Sequence, residues 1–216
     1  QTAGVAKRRL QGACELWPDG HSHVQERHIG GELGGGHHRP GRQPIAGRGL
    51  YLETAEGRHI LDLYGGHAVA TLGYGHPKLS SAIAEQAERL FFQSNAVRLD
   101  IRDEAANSLA AFAPEPLSRV FFVNSGAEAN ENALRIALKS TGRKKIIAVE
   151  HSFHGRTAGA ATVTWGAKES WYGFPHDPFE VAFVPRNDIN ALNTMVDRDS
   201  AALIIEPVRG VAGAFN

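Results

Sequence analysis

The 216-residue sequence contains a single cysteine, Cys14, and no excess of either charge, with 23 Lys and Arg against 23 Asp and Glu. One thiol cannot close an internal disulfide, which excludes the small secreted scaffolds held by cystines and fits a reducing compartment. Charge balance excludes the broad basic face needed to grip nucleic acid or an anionic membrane. No apolar run approaches the ~18 residues of a membrane span, and no signal-peptide pattern follows Gln1. The chain has no Gly-Lys pair, hence no P-loop, and no G-x-G-x-x-G after a strand, hence no dinucleotide fingerprint. What remains is a chain 42% hydrophobic, enough for a core, expected in the cytoplasm without nucleic-acid or membrane partners.

Residues 1–41 differ from the rest. Few apolar residues, no period and the stretch "HIGGELGGGHHRPGRQP" predict a disordered or extraneous tail. Five histidines lie there (His21, His23, His28, His37 and His38) with Cys14. Their spacing matches neither a zinc ribbon nor a Cys₂His₂ finger, so no metal site is expected.

From Arg42 onward the sequence acquires rhythm. Leu50 to Leu52 and His59 to Tyr64, separated by "ETAEG", predict a β-hairpin. Leu79, Ile83, Ala87 and Leu90 recur at helical spacing behind Pro77, and a second helix is expected from Ile101 to Phe112, stopped by Pro114 and Pro116. Beyond Pro116 strands and helices alternate as in α/β units with a largely parallel sheet. A buried strand is predicted at Arg119 to Val123 and a helix over "AEANENALRIALKS", with Ala133, Leu134, Ala137 and Leu138 on one face. Further strands are predicted at Lys144 to Glu150, Val181 to Pro185 and Ala201 to Glu206, with the helix "DINALNTMV" between the last two.

Three junctions carry chemistry. At "FFVNSGAEAN" a turn leads into a helix whose first N–H groups have no helical partner and whose dipole is positive, which suits an anion. Gly126 permits close approach and Ser125 offers a hydroxyl; ordinary capping of the helix by Ser125 and Glu128 accounts for the same letters. At "EHSFHGRT", Phe153 offers a flat apolar face, His154 a hydrogen-bonding ring and Arg156 a fork for a carboxylate. A core-filling Phe153 and an Arg156 paired to a surface acid explain that loop equally well. Glu206 closes the strand of "AALIIEPV" at the same sheet edge, either paired in a site or exposed in the turn.

Taken together, "GRGLYLETAEGRHILDLYGG", "LGYGHP", "FQSN", "NSGAEANENALRIA", "FHGRT" and "ALIIEPV" resemble class III, fold-type I pyridoxal-phosphate aminotransferases, most closely the acetylornithine aminotransferase branch, from about Arg42 to Asn216. Behind the tail 1–41, which matches nothing in the family, the resemblance implies a partial α/β fold with a largely parallel sheet: residues 42–95 as the N-terminal segment of an incomplete small domain with its linking helix, and residues 96–216 as the first half of the cofactor-binding large domain. It implies that Ser125, Gly126 and Ala127 hold the cofactor phosphate, that Phe153 stacks on the pyridine ring, that Arg156 binds the substrate carboxylate remote from the reacting amine, and that His154 and Glu206 support the ring. The Schiff-base Lys and the Asp that pairs with the ring nitrogen are expected beyond Asn216, so the chain is expected to be an inactive fragment with no catalytic residue of its own. The parent reaction implied is transfer of the terminal amine of N-acetylornithine to 2-oxoglutarate by a homodimer acting on small amino and 2-oxo acids. Ornithine or 4-aminobutyrate aminotransferases, and a non-catalytic truncated binding module, are the alternatives. One local departure bears on the substrate: "EPVRGVAG" places Arg209 and Val211 where the family often has an amide and an acid.

Overall fold

The computed structural model describes residues 43–208. The tail at 1–41 and the Arg209 and Val211 departure lie outside the described residues. The chain divides into two compact units between Val120 and Phe121. That division by compactness groups the helix at residues 100–112 with the first unit, whereas the sequence reading separated small from large domain after residue 95.

In the first unit, strands β1 (Pro44–Arg48), β2 (Tyr51–Thr54) and β3 (His59–Leu61) form an antiparallel sheet in that order. The predicted hairpin is β2 and β3, with Tyr51 opposite Leu61 and Leu52 opposite Ile60. Its turn closes through Thr54, which is fully buried and exchanges backbone and side-chain hydrogen bonds with Arg58. A short helix α1 (Gly65–Ala68) follows, and the Tyr74 hydroxyl donates to Asp62. Helix α2 (Pro77–Leu90) starts where the proline predicts, with His76 Nδ1 accepting from the Leu79 N–H at 3.3 Å. Helix α3 (Asp100–Phe112) likewise follows the reading. Both helices form, yet neither buries a residue: Leu79, Ile83 and Leu90 on the predicted apolar face of α2 stay 46, 61 and 42% exposed.

The second unit contains helix α4 (Gly126–Thr141), strand β4 (Lys145–Val149), two short helices α5 (Ala158–Thr162) and α6 (Ala167–Ser170), strand β5 (Glu180–Val184), helix α7 (Ile189–Met195) and strand β6 (Ser200–Ile204). The α/β class with a parallel sheet expected from sequence is what forms: β4 is central and pairs in parallel with β5 on one side and β6 on the other. A central parallel strand is covered on both faces, which is why the run Ile146, Ile147, Ala148 is continuous rather than alternating, and all three are at most 1% exposed. Leu134 of α4 packs into the cluster of Ile146, Ala148 and Val163, with Leu138, Val181, Phe183 and Ile204 around it. Gly142 ends α4 in the left-handed conformation at φ 67°, its N–H donating to Leu138 O at 3.0 Å.

One predicted strand is corrected. Arg119 to Val123 joins no ladder, and Phe121 and Phe122 are 71 and 44% exposed. Its aromatic and β-branched letters suit a strand, but a strand exists only with a partner, and no described residue pairs with it.

Leu134 is the one buried residue of α4, so Leu134→Ala should remove about 3 kcal/mol of stability by opening a cavity against β4. Urea unfolding followed by circular dichroism measures this; a loss under about 1 kcal/mol would show that α4 does not depend on this contact.

Candidate functional site

Because β4, β5 and β6 run in parallel, their carboxyl ends share one edge, where α/β proteins collect ligands. The loop after β4 carries Phe153, His154 and Arg156 to that edge, and Glu206 follows β6 there. The two meet directly: the Phe153 N–H donates to Glu206 Oε1 at 2.7 Å. No sequence pattern announces this bond, since it uses the main chain of residue 153 rather than its ring. Phe153 itself is 36% exposed, so its ring does not plug the core.

The start of α4 shows the expected capping. Ser125 is the N-cap, its hydroxyl oxygen accepting from the Glu128 N–H at 3.1 Å. The Glu128 carboxylate bonds the N–H of Asn124 at 2.7 Å and its amide nitrogen at 3.1 Å, one residue earlier than in the usual reciprocal box. Capping thus uses the Ser125 oxygen as an acceptor and leaves its O–H able to donate. The N–H groups of Gly126 and Ala127 lie in the first turn, where helix geometry supplies no partner. Nothing lies within 4 Å of where a Gly126 Cβ would stand, so this turn is open. Capping and anion binding are compatible here rather than alternatives.

Close packing joins this turn to the loop. Gly155 has φ +129°, and a Cβ there would fall 2.5 Å from Ala127 Cβ and 2.8 Å from Ala127 Cα. Only glycine fits, and it fits against Ala127, the second residue of α4. Asn130 Nδ2, one turn along α4, donates to His154 O at 2.7 Å. On the loop's other side the His154 N–H donates to Thr164 Oγ1 at 2.9 Å. Ser125, Gly126, Ala127, Phe153, His154 and Glu206 are therefore gathered at one place. Arg156 leaves the same loop with an exposed side chain and no ion pair among the described residues, which removes the surface-acid explanation for it.

His154 is 5% exposed, and its Nε2 has no hydrogen-bond partner among the described residues; Ser152 Oγ, 2% exposed at the base of the loop, is likewise unpartnered. Burial pushes the imidazole pKa below its ordinary value, opposed by the nearby Glu206 carboxylate. The ring is therefore neutral at pH 7, and Arg156 is the formal cation this loop presents. Sequence reasoning missed Glu131 and Asn130 on α4, which bond the loop. The signal was the lack of bulk at Ala127, Gly155 and Gly159, which brings α4 close enough for its polar side chains to reach across.

His154 also makes stability depend on pH. A histidine whose folded pKa is depressed binds its proton more readily when unfolded, so its contribution is complete above the ordinary pKa of about 6.5 and is lost as pH falls below it. Urea midpoints between pH 8 and pH 5 should fall more steeply for the native chain than for His154→Asn. Equal slopes would show that His154 takes up its proton without strain.

The sequence match to the family described as aminotransferase class-III covers residues 38–216. The acetylornithine aminotransferase of Methanopyrus kandleri is 43% identical over 171 residues, 78% of this chain and 43% of that protein. A [LysW]-aminoadipate semialdehyde/glutamate semialdehyde transaminase of Sulfurisphaera tokodaii is 39% identical over 79% of this chain and 44% of its own length. An S-selective transaminase from Arthrobacter, crystallised with alanine bound, superposes with a TM-score of 0.69 at 26% identity, covering 82% of this chain and 45% of that one. The chain spans about half the length of the relatives it matches. On the matched residues, the parallel sheet and these relatives, the chain belongs to the class III aminotransferase family.

Proposed function

We propose that the second unit is the pyridoxal-phosphate-binding part of an aminotransferase that moves the terminal amine of N-acetylornithine to 2-oxoglutarate. The observation that carries this is the contact of Ala127 with Gly155, which places an open helix N-terminus beside a loop bearing an aromatic ring and an exposed arginine. The donor set fits the cofactor. Backbone N–H groups of Gly126 and Ala127 and the Ser125 hydroxyl suit a phosphate monoester at the positive end of a 16-residue helix. Phe153 offers its face to the pyridine ring, with the neutral His154 and the half-buried Glu206 beside it. When bound, pyridoxal phosphate supplies the electron sink that lets an amino group be transferred. This chain's residues would bind and orient it: the cup formed by Ser125, Gly126 and Ala127 would hold the phosphate and Phe153 would pack on the ring, while Glu206 holds the loop by its main chain.

Arg156 suits the carboxylate of an amino acid that reacts at its far amine, because the fork makes two parallel charge-assisted hydrogen bonds. Acetylornithine meets that requirement, and the Methanopyrus relative bears that name. The second reading is a carrier-linked semialdehyde transaminase like the Sulfurisphaera relative. An ornithine or 4-aminobutyrate aminotransferase would use Arg156 in the same way, and a binding module without catalysis would keep the cup alone. The same reading makes the whole enzyme a cytoplasmic homodimer acting on small amino and 2-oxo acids, with the covalent lysine contributed from beyond Asn216. Among the described residues no helix is long and apolar enough to cross a membrane.

Titration of the 216-residue chain with pyridoxal phosphate and with pyridoxal tests the cup. The phosphate ester should raise affinity at least about tenfold, as charge-assisted hydrogen bonds do, and equal affinities would overturn the reading. With the downstream coding sequence included, acetylornithine should act as amino donor. Turnover of 4-aminobutyrate but of neither acetylornithine nor succinyldiaminopimelate would move the substrate assignment to the ω-amino acids.

A further inference from the structure

Glu131 lies one turn beyond Ala127 on α4 and reaches into the start of α5. Its Oε2 accepts from Thr157 Oγ1 at 2.7 Å, from the Gly159 N–H at 2.7 Å and from the Ala160 N–H at 3.1 Å. A Cβ on Gly159 would stand 3.0 Å from both carboxylate oxygens, so the backbone there is shaped to the carboxylate. Helix α5 has only five residues, and its own N-cap, Thr157, makes no side-chain cap bond. A side chain from another helix does the capping, and its negative charge matches the positive helix end.

The consequence for the loop follows from adjacency. Thr157 is the residue after Arg156, and no ion pair among the described residues holds the guanidinium. What is fixed at Arg156 is the main chain from which it leaves the loop. That main chain is pinned on one side by the His154 carbonyl, bonded to Asn130, and on the other by Thr157, bonded to Glu131. Both anchors come from consecutive residues of α4, the helix whose first turn forms the cup. The tethers on either side of Arg156 therefore come from α4, in addition to the tether of Phe153 to Glu206 at the sheet edge.

We propose that Glu131 is a positioning residue for substrate recognition: it fixes Arg156 at the distance from the phosphate cup at which a carboxylate remote from the reacting amine is bound. This rests on the roles of the cup and Arg156 given under the proposed function. A carboxylate that accepts three hydrogen bonds cannot be matched by alanine. A glutamine keeps one oxygen acceptor and nearly the same shape.

Two reduced phosphopyridoxyl adducts serve as probes, of 4-aminobutyrate and of butylamine, which differ in the distal carboxylate. Calorimetry on the 216-residue chain compares them in the native protein, Arg156→Ala, Glu131→Ala and Glu131→Gln. The native chain should prefer the carboxylate probe about tenfold, as expected for a charge-assisted pair, and Arg156→Ala should abolish that preference. Glu131→Ala should also bring it to within about twofold while the butylamine adduct keeps its affinity, and Glu131→Gln should recover part of it. Leu134→Ala, which loosens the same helix elsewhere, controls for lost stability and should keep the preference. If Glu131→Ala fails to fold, Glu131→Gln carries the comparison, with a preference between those of the native chain and Arg156→Ala. Either Glu131 variant retaining the full preference, or losing affinity for both adducts in parallel, overturns the positioning role alone. A native chain without preference overturns the role of Arg156 first, and this proposal with it.

Discussion

The site depends on one steric fact: residues 127 and 155 meet with no room for a side chain on the second. Gly155 lets the loop after β4 touch the first turn of α4, and that contact makes a helix end and a sheet edge into one place. A strand leading into α4 would do the same work through a ladder, but Arg119 to Val123 pairs with no described residue. Here the registration runs through close packing and through Asn130 and Glu131, both on α4. Close packing is intolerant of added volume, so this arrangement is specified more tightly than a loop of this length suggests.

Polar satisfaction has been arranged unevenly around that contact. Glu128 and Ser125 finish the helix start, Glu131 finishes the start of α5, and Glu206 holds a backbone N–H of the loop. Each of these carboxylates accepts from at least one main-chain N–H, and among the described residues none forms an ion pair with Arg156. His154 Nε2 and Ser152 Oγ remain buried and without a partner among the described residues, the pattern that buried functional sites show when their polar groups serve something other than the fold.

Much of this was legible in the sequence where local chemistry decides. The turn letters "ETAEG" predict the β2–β3 hairpin, Pro77 marks the start of α2, and the unbroken apolar run at Ile146 to Ala148 predicts a buried parallel strand. The helix predicted from Ala127 starts at Gly126, within one residue of the reading, with Ser125 as its N-cap. What escaped needed a partner distant in sequence. Strand β1 requires β2 to define it, and α5 and α6 are too short and too rich in small residues to show a period. Phe121 and Phe122 have the composition of a strand without the neighbour that would make one. Glu131 reads as an ordinary exposed position of an amphipathic helix until the chain folds and Gly159 arrives against it.

The bond from residue 153 to Glu206 involves only the peptide N–H. Any residue except proline supplies that donor equally well. The loop's attachment to the sheet edge and the chemical character of the surface it presents are therefore separable properties. At this position the shape and polarity of the exposed side chain can change while the main chain keeps its tether, so the surface at residue 153 can diverge without the fold having to follow.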